Sequence, residues 1–410
     1  MRRVLADAWQ QLVAWLRRHP RWAAALFTVV TGNVVYACFR AVMLSAVDLV
    51  HGYLDPTRAM LFEGADPFVA FRFNSYSPFF YAVMAPLALM PDGVASVVWS
   101  VLQLGFLFAV VAFFRAMLGR AEVALGLGAA AVLVSDNVNL GQSNLLALAF
   151  CAASLWALSK RRDVTAGLSL AVAIAWKLTP ALLLVLLIAR GRVKALGAVL
   201  AGLVVCLVVV PGLVFGPARA VTFAGEWVGL VVAPFARGEK GVTTNIDWYH
   251  TNQSMEAALQ RSFTRYGREH YAGAHRFVDP AFFDEAQVHG LANVLRLVLL
   301  VALAWASWRT RLDDEAVPRV GALLLLGALF ISPASWFSHY IAALPAYLVA
   351  LSRGARRVVL VVALATLASL GSEMKSYSLV VLSHAVLFVL LFRNTSLQTR
   401  AVEVHTQGPR

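Results

Sequence analysis

The residues that could do chemistry in this 410-residue chain are polar side chains at the ends of long apolar stretches. Asp48 follows the first such stretch, Lys177 interrupts another just before Pro180, and His339 lies in a corner that begins at Ser332. A carboxylate can take the proton of an attacking hydroxyl, and fixed cations can stabilise negative charge on a leaving group. Ionisable residues at membrane depth are costly unless they are solvated, paired or functional, so these three are the first candidates for a site.

Each candidate also has a structural interpretation, and the residues alone leave both open. Asp48 could be a helix-end residue in the headgroup zone, Lys177 could extend its amine to the membrane surface, and His339 could be a satisfied structural histidine beside aromatic anchors. Gln142 and Asn144 open a later apolar stretch, where they could bind a ligand or, as is more usual for such residues, cap a helix.

Three further candidates lie in two long polar segments. Asp66 stands in a turn punctuated by Gly64 and Pro67, so the sequence favours a turn-forming role over a catalytic one. Asn252 begins an Asn-Gln-Ser run that also fits a glycosylation sequon, which is a weak signal, and Arg261 follows it. A role for these three residues in binding is indicated only when they are considered together with Asp48, Lys177 and His339.

The composition identifies the kind of protein that must position these residues. The chain is 60% hydrophobic and only 14% charged, with a mean hydropathy of +0.72, whereas soluble domains carry about 25% charged residues. The apolar residues form long blocks rather than the alternating runs of an outer-membrane barrel. The sequence therefore predicts an all-α polytopic membrane protein embedded in a lipid bilayer and excludes a large soluble enzyme.

The net charge of +13 has two interpretations. If the basic residues lay on one folded face, they would suit binding to nucleic acid. In a membrane protein, however, lysine and arginine mark the cytoplasmic loops, so no nucleic-acid partner is expected. The three cysteines, Cys38, Cys151 and Cys206, all lie in apolar segments. Their placement argues against a disulfide scaffold and against zinc, and no metal or cofactor is expected.

About twelve apolar stretches are candidate transmembrane helices, several of them too short to cross a bilayer alone. They cover residues 23–47, 94–115, 121–137, 142–159, 164–177, 178–190, 195–214, 289–308, 319–332, 338–352, 356–371 and 377–392. The run Pro78–Pro91 is about fourteen residues long and contains three prolines, which favours a re-entrant or surface segment over a crossing.

The distribution of charge supports this topology. With the N-terminus inside and 78–91 not crossing, the inside segments contain 22 of the 35 lysines and arginines, in agreement with the positive-inside rule. Two larger loops, 48–93 and 215–288, then face outward together with nearly all the candidate residues. We expect a multi-pass protein of the plasma (inner) membrane with both termini cytoplasmic and its site on the extracytoplasmic face.

The chain divides into three regions by this interpretation. Residues 1–22 are predicted to form a cytoplasmic interfacial helix, because the apolar residues of this segment would share one helical face and arginines surround them. The apolar stretch that follows is too long for a signal peptide and is interpreted as an uncleaved anchor. Residues 23–392 then form one integral membrane domain, and 393–410 form a cytoplasmic tail.

Taken in order, six stretches of the chain resemble glycosyltransferase family 87, the polyprenol-phosphate-dependent mannosyltransferases of the GT-C superfamily. They are Asp48–Tyr53, Gly64–Phe68 with Tyr76-Ser77-Pro78, Gly141–Asn144, Lys177–Pro180, Asn252–Ser254 with Arg261, and Ser332–His339. Each stretch alone is weak evidence for the family, but six stretches in the same order as in the family make the resemblance specific. The region 262–290 aligns with nothing in this pattern.

The resemblance implies a GT-C-type bundle that transfers a sugar with inversion on the extracytoplasmic face. The donor would be a polyprenyl-phosphate sugar, typically mannose, and the acceptor a glycolipid or a glycan. By position, the general base of the family carries over to Asp48, and the donor phosphate would be bound by Lys177, Arg261 and His339, the last in its protonated form. The remaining substrate-binding candidates are Asn252, Gln142, Asn144 and Asp66.

The chemistry of these residues agrees with that implication. A single carboxylate base without a second carboxylate nucleophile suits inversion rather than a covalent intermediate. Glycine-rich loops of the kind that hold nucleotide phosphates are absent from the sequence, which favours a lipid-linked donor over a nucleotide sugar.

Two other functions stay open at the level of sequence. A transporter or flippase of a lipid-linked substrate would carry broken helices in two related halves, and the short pair 164–190 has no second copy elsewhere. A catalytically inert assembly partner would be favoured by an altered residue at position 48, where this chain has Asp48.

Overall fold

The computed structural model describes residues 47–70, 75–118, 123–236, 252–264, 283–310, 312, 316–370 and 378–406, with three isolated positions before them. The predicted interfacial helix 1–22 and nearly all of the predicted span 23–47 lie outside the described residues. Within the described part of the chain the regular structure is helical, and β pairing is limited to two isolated bridges, Asn252–Trp336 and Thr264–Phe283. The all-α prediction is confirmed.

Three of the described helices are long and apolar enough to span a membrane: Asp92–Leu118, Val193–Phe215 and Glu285–Arg309. Shorter apolar helices make up most of the rest, namely Pro78–Ala88, Asn144–Ser159, Asp163–Trp176, Thr179–Ala189, Ala316–Ile331, Phe337–Ser352 and Leu379–Arg393. Three further described helices also have ten residues or more, namely Ala131–Leu140, Pro217–Trp227 and Arg356–Ala368. The number of true crossings, about twelve by sequence, stays a prediction.

Several of these helices are broken where the sequence weakens them. The predicted span 178–190 starts as a 3-10 turn, Thr179–Leu183, and continues as Leu184–Ala189. Pro180 lies in that turn, and because proline lacks the amide hydrogen an α-helix needs, the preceding helix cannot run on through it. Lys177 takes the extended backbone between the two helices, with φ −153° and ψ 136°.

The two predicted outer loops are largely helical where they are described. Residues 47–63 run as one helix of α and π turns that ends at Gly64, whose φ of +70° is a left-handed conformation that glycine adopts without strain. In the second segment, Pro217–Trp227 and Met255–Phe263 are helices. The term loop therefore describes their predicted position outside the membrane, not their backbone.

The helix Pro78–Ala88 is part of the core. Phe80, Tyr81 and Met84 have no exposed surface, and Ser77 caps the helix start by accepting from the amide of Phe80. Burial on this scale contradicts the surface alternative for 78–91, because a surface segment would leave one side of these large side chains in contact with solvent or lipid. A re-entrant path stays a prediction.

The apolar core of the described residues consists of two clusters, and Leu178, which follows Lys177, packs against both. The larger is built on Asn144–Ser159, Ala316–Ile331 and Leu344–Ser352, and the smaller surrounds Pro78–Ala88. Trp176 belongs to the smaller cluster and directly precedes Lys177. One of the contacts between the two clusters therefore lies beside Lys177.

Candidate active site

A four-residue turn, 141–144, positions the polar groups at the centre of the site. Gly141 ends the helix Ala131–Leu140 with a φ of +72°, a left-handed conformation that favours glycine. The indole nitrogen of Trp99 donates to the Gly141 carbonyl at 2.8 Å, and that of Trp176 donates to the Ser143 carbonyl at 3.1 Å. The two tryptophan rings stack with centroids 6.3 Å apart, so the turn is held by a rigid aromatic support.

Asp48 lies on one side of this turn, at the start of the helix 47–63. Its Oδ2 atom accepts a hydrogen bond from Nε2 of Gln142 at 2.6 Å, and the side chain is partly buried. An amide donor at this distance gives the carboxylate a defined orientation and interacts favourably with its ionised form. Those are the properties that a general base requires.

Lys177 and His339 form a close pair on the other side of the turn. Nζ of Lys177 lies 2.9 Å from Nε2 of His339 and donates to Oδ1 of Asn144 at 2.5 Å. The histidine ring is oriented by the backbone amide of Trp336, which faces its Nδ1 atom at 3.3 Å. The helix break at Lys177 and the 3-10 turn Phe337–Ala343 thus bring residues 162 positions apart into contact.

The short distance between the Lys177 and His339 nitrogens limits the total positive charge that the two side chains can carry. Two full positive charges 2.9 Å apart in a partly buried site repel each other strongly, so without an anion the pair is expected to carry one charge. A bound phosphate would offset that repulsion. In the structure the Trp336 amide donates to Nδ1 of His339, so a ring protonated on both nitrogens would have to give up that hydrogen bond, and the protonated form of His339 stays a prediction.

Asn144 connects the two sides of the site. Its Nδ2 atom donates to Oδ1 of Asn137 at 3.1 Å and to the Ser338 carbonyl at 3.3 Å, and lies 3.5 Å from Oε1 of Gln142. The side chains of Gln142 and Asn144 therefore separate the Asp48 carboxylate from the Lys177–His339 pair. A proton acceptor and a cationic pair face the turn from opposite sides.

A small pocket of about 40 Å³ opens beside the cationic pair. Asn144, Lys177 and His339 line its polar end, while the rest of its wall is mostly apolar. The apolar lining consists of Ala147, Leu148, Cys151, Pro180, Leu325, Ala328, Leu329 and Ala342. A ligand with an anionic head and an apolar tail matches this division of polarity.

Asn252 and Arg261 join the second outer segment to the corner that carries His339. Oδ1 of Asn252 accepts from the amide of Ser335 at 3.2 Å, and Nδ2 donates to the Pro333 carbonyl at 3.4 Å. Arg261 is buried, and it donates to the Asn252 carbonyl at 2.6 Å and to the Ser378 hydroxyl at 2.7 Å. Both residues brace the corner, and their roles toward a substrate stay predictions.

Asp66 lies in the turn that the sequence predicts. Its Oδ1 atom accepts from the amide of Phe68 at 2.8 Å, so it caps the short helix Pro67–Ala70. It also lies next to Glu226, and burial, together with the neighbouring Asp66 carboxyl, raises the pKa of Glu226. The turn-forming interpretation of Asp66 therefore has direct support, and binding of a substrate by this residue stays a prediction.

Sequence reasoning missed several residues that the fold adds to this site. Tyr53, Tyr76 and Ser143 lie in stretches that it noted, but it committed to no site role for them, and it gave none to Trp99 or Trp176. Their polar contacts depend on which helices pack together, and no spacing in the sequence signals that. Within the described residues, no group of three or more His, Cys, Asp or Glu side chains is arranged to hold a metal ion.

Comparison with known proteins gives two matches. Residues 73–333 match the profile of glycosyltransferase family 87. The chain is also 30% identical over 287 residues to a Mycobacterium tuberculosis (strain CDC 1551 / Oshkosh) protein, the polyprenol-phosphate-mannose-dependent alpha-(1-2)-phosphatidylinositol pentamannoside mannosyltransferase. That alignment covers 66% of this chain and 56% of the relative, so the chain spans little more than half of the relative's length. No solved structure matches the chain.

Proposed function

This chain belongs to glycosyltransferase family 87, and from that premise we propose that it transfers a hexose, mannose by family precedent, from a polyprenyl-phosphate donor to an acceptor hydroxyl. The acceptor would be a glycolipid or glycan on the extracytoplasmic side, and the transfer would invert the anomeric configuration. One observation carries the proposal. A carboxylate and a Lys–His pair face the same four-residue turn from opposite sides, linked through Gln142 and Asn144.

The arrangement supports a single displacement at the anomeric carbon. Asp48 takes the proton of the acceptor hydroxyl while the acceptor oxygen forms its bond to that carbon. The bond from the same carbon to the phosphate oxygen breaks, and its electron pair leaves with the polyprenyl phosphate. Lys177 and His339 stabilise the negative charge that develops there. Attack and departure on opposite faces of the sugar give inversion.

The cavity beside Lys177 supports a lipid-linked donor. Its polar lining residues suit contact with a phosphate, and its apolar lining residues suit contact with the start of an isoprenoid chain. An apolar tail of this kind also explains why a transferase of small molecules is built from membrane helices. The identity of the sugar and of the acceptor is proposed from family membership, not from the geometry.

The charge pattern supports an extracytoplasmic location of the site. The chain is a helical integral membrane protein, and we place it in the plasma (inner) membrane with both termini in the cytoplasm. The connector Lys160-Arg161-Arg162 then lies inside, and Asp48 and the 141–144 turn lie near the outer surface. A lipid-linked donor and a lipid acceptor would both reach such a site by diffusion within the bilayer.

The decisive experiment compares wild type with Asp48→Asn. The full chain in nanodiscs receives radiolabelled polyprenyl-phosphate mannose and a membrane-lipid extract, and the labelled product is separated from the donor. We expect transfer by wild type and a loss of at least about 100-fold in the variant, since a positioned base contributes about 10²–10⁴ in rate. Asp55→Asn is the matched control, because Asp55 lies in the same helix and pairs with Arg58 and His51.

The outcomes separate the alternatives. Equal transfer by Asp48→Asn would show that the base lies elsewhere. Movement of labelled donor between leaflets without a new product would favour the transporter or flippase function. An inverted anomeric configuration in the product, read by NMR against the donor, would complete the assignment.

A further inference from the structure

A chain of hydroxyl groups lies behind the Asp48–Gln142 pair. Oη of Tyr53 lies 3.3 Å from Oε1 of Gln142 and 3.0 Å from Oη of Tyr76. The Ser143 hydroxyl lies 3.4 Å from Oη of Tyr76 at the far end. Tyr53 and Ser143 are buried, with 2% and 1% of their surface exposed.

The direction of these hydrogen bonds is determined by the carboxylate. An ionised carboxylate only accepts, so Gln142 must present its NH₂ group to Asp48 and its oxygen to Tyr53. Tyr53 then uses its only hydroxyl hydrogen on Gln142, and its oxygen accepts from Tyr76. Tyr76 in turn accepts from Ser143. Each group donates to the next, and the series ends at Oδ2 of Asp48.

The tyrosine hydroxyls can hold this arrangement across the working pH range. Burial raises the pKa of Tyr76 above its ordinary value, so the phenol stays protonated and remains a donor. The rings are also held in place: Tyr53 meets Tyr76 edge-on at 5.2 Å, and Tyr76 stacks on Phe80 at 4.0 Å between centroids.

The hydroxyls control which end of the Gln142 amide faces the carboxylate. An amide side chain can rotate by half a turn and exchange its oxygen and nitrogen positions, and oxygen against a carboxylate is repulsive. The Tyr53 hydroxyl makes that rotation unfavourable, because it would then face a donor instead of an acceptor and would have to turn its hydrogen onto Tyr76, which reverses the Tyr76–Tyr53 hydrogen bond. The amide therefore stays with its donor toward Asp48.

We propose that Tyr53 and Tyr76 are positioning residues, which act through Gln142 to hold the Asp48 carboxylate in the orientation that receives the acceptor proton. This inference rests on the proposed function. It gives a role to the Tyr53 and Tyr76 hydroxyls, which the packing of the two rings does not require. The family resemblance assigns no role to these hydroxyls. It also makes Gln142 the link between the two tyrosines and the base, rather than a contact to substrate alone.

The test removes single hydroxyls and leaves the rings. Tyr53→Phe and Tyr76→Phe are compared with wild type for kcat and KM in the nanodisc assay with polyprenyl-phosphate mannose. Tyr81→Phe is the matched control, since Tyr81 is fully buried in the same aromatic cluster and its hydroxyl has no hydrogen-bond partner among the described residues. Thermal unfolding is measured for all four proteins.

We expect a graded effect on kcat. Tyr53→Phe lowers kcat about tenfold and leaves KM for the donor within about twofold, because a misoriented base slows the chemical step without weakening binding. Tyr76→Phe, one hydrogen bond further away, has a smaller effect in the same direction, and Tyr81→Phe behaves as wild type. The three variants should unfold at similar temperatures.

A double-variant cycle separates positioning from structure. If Tyr53 acts through Gln142, Tyr53→Phe costs nothing further in a Gln142→Ala background. The same loss in both backgrounds would overturn the proposal, and so would a wild-type kcat in Tyr53→Phe while Asp48→Asn is inactive. Absence of transfer by wild type would instead overturn the proposed function itself, and this inference with it.

Discussion

At the scale of single residues, the site depends on one cation held at a helix break. Lys177 follows a helix that ends at Trp176 and precedes a 3-10 turn that contains Pro180, so its side chain leaves the backbone where the helical hydrogen bonds are interrupted. Asn144 and His339 both contact its Nζ atom. A lysine that was only extending toward the membrane surface would keep its amine in the headgroup zone, not against an asparagine and a histidine.

Lys177→Met should therefore lower kcat by about 100-fold or more, since loss of one preorganised group that stabilises developing charge costs about 10²–10³. The measurement is single-turnover transfer with saturating donor. Lys160→Met is the control, because Lys160 is exposed in a connector that is predicted to lie inside, and its substitution removes the same charge from the chain. Equal losses in both variants would mean that net charge, and not the Lys177 site, sets the rate.

At the scale of elements, a buried ion-pair network connects the second outer segment to the membrane helices. Glu256, at the start of Met255–Phe263, accepts from Nδ1 of His289 at 2.8 Å and from Arg296 at 2.5 Å. Glu256 is 3% exposed and Arg296 is 9% exposed. The helix that carries Arg261 is therefore docked on Glu285–Arg309 by charge as well as by packing.

Glu256→Gln should destabilise the protein by about 3–5 kcal/mol, because it leaves Arg296 buried without its counter-charge. Thermal unfolding in detergent, followed by tryptophan fluorescence, measures the effect. The double variant Glu256→Gln with Arg296→Met removes both charges and should recover much of the loss. No recovery in the double variant would mean that helix packing, rather than the ion pair, holds the segment.

The turn 141–144 is the second element on which the site depends. Gly141→Ala places a side chain at a φ of +72°, a conformation that costs about 1–2 kcal/mol for residues with a Cβ atom. This strain should displace Gln142 and Asn144 together and lower kcat several-fold. The transfer assay measures the change in kcat. Gly105→Ala is the control, since Gly105 lies in the helix Asp92–Leu118 with open space around its Cα atom and should be neutral or stabilising.

The contact between Asp66 and Glu226 joins the two outer segments and makes that contact sensitive to pH. The pKa of Glu226 is raised above its ordinary value of 4.5 by burial and by Asp66, so the folded state binds the proton more tightly than the unfolded state. Stability therefore falls as pH rises from 4.5 through the raised value. Glu226→Gln removes this effect.

We expect Glu226→Gln to melt at a higher temperature than wild type at pH 7 and at the same temperature at pH 4. Melting curves of the two proteins across that range measure the difference. A constant difference at all pH values would show that the substitution acts through packing and not through the carboxyl pair.

At the scale of the whole molecule, the charge pattern predicts the orientation in the membrane. The described helices place Glu63 at the exposed end of the helix 47–63, and Lys194 at an exposed position near the start of Val193–Val204. The topology assigns these two positions to opposite sides of the membrane. Lysine and arginine are retained on the cytoplasmic side, so the basic connectors determine which end of the bundle faces out.

Single-cysteine variants test this orientation directly. In a background without Cys38, Cys151 and Cys206, Glu63→Cys should react with a membrane-impermeant maleimide in intact cells, and Lys194→Cys should react only after permeabilisation. Labelling is measured by gel shift. The reverse pattern would place the site on the cytoplasmic side and contradict the proposed acceptor location.

The sequence by itself predicted the class of the fold and the chemical character of the site. Hydropathy and charge are sums over many residues, so errors at single positions do not change an all-α membrane assignment. Asp48, Lys177 and His339 could be found because an ionisable side chain beside an apolar stretch is unusual. The turn-forming role of Asp66 could also be predicted, because glycine and proline act on the local backbone.

Only the tertiary structure decided which of these residues meet. Asp48 and Gln142 are 94 positions apart and Lys177 and His339 are 162 apart, and their contacts depend on how helices of similar composition pack. The Tyr53–Tyr76 hydroxyl pair could not be predicted for the same reason, because an aromatic residue in an apolar protein is core by default. The burial of Pro78–Ala88 likewise required the fold, since proline spacing limits where a helix can run but does not say what packs around it.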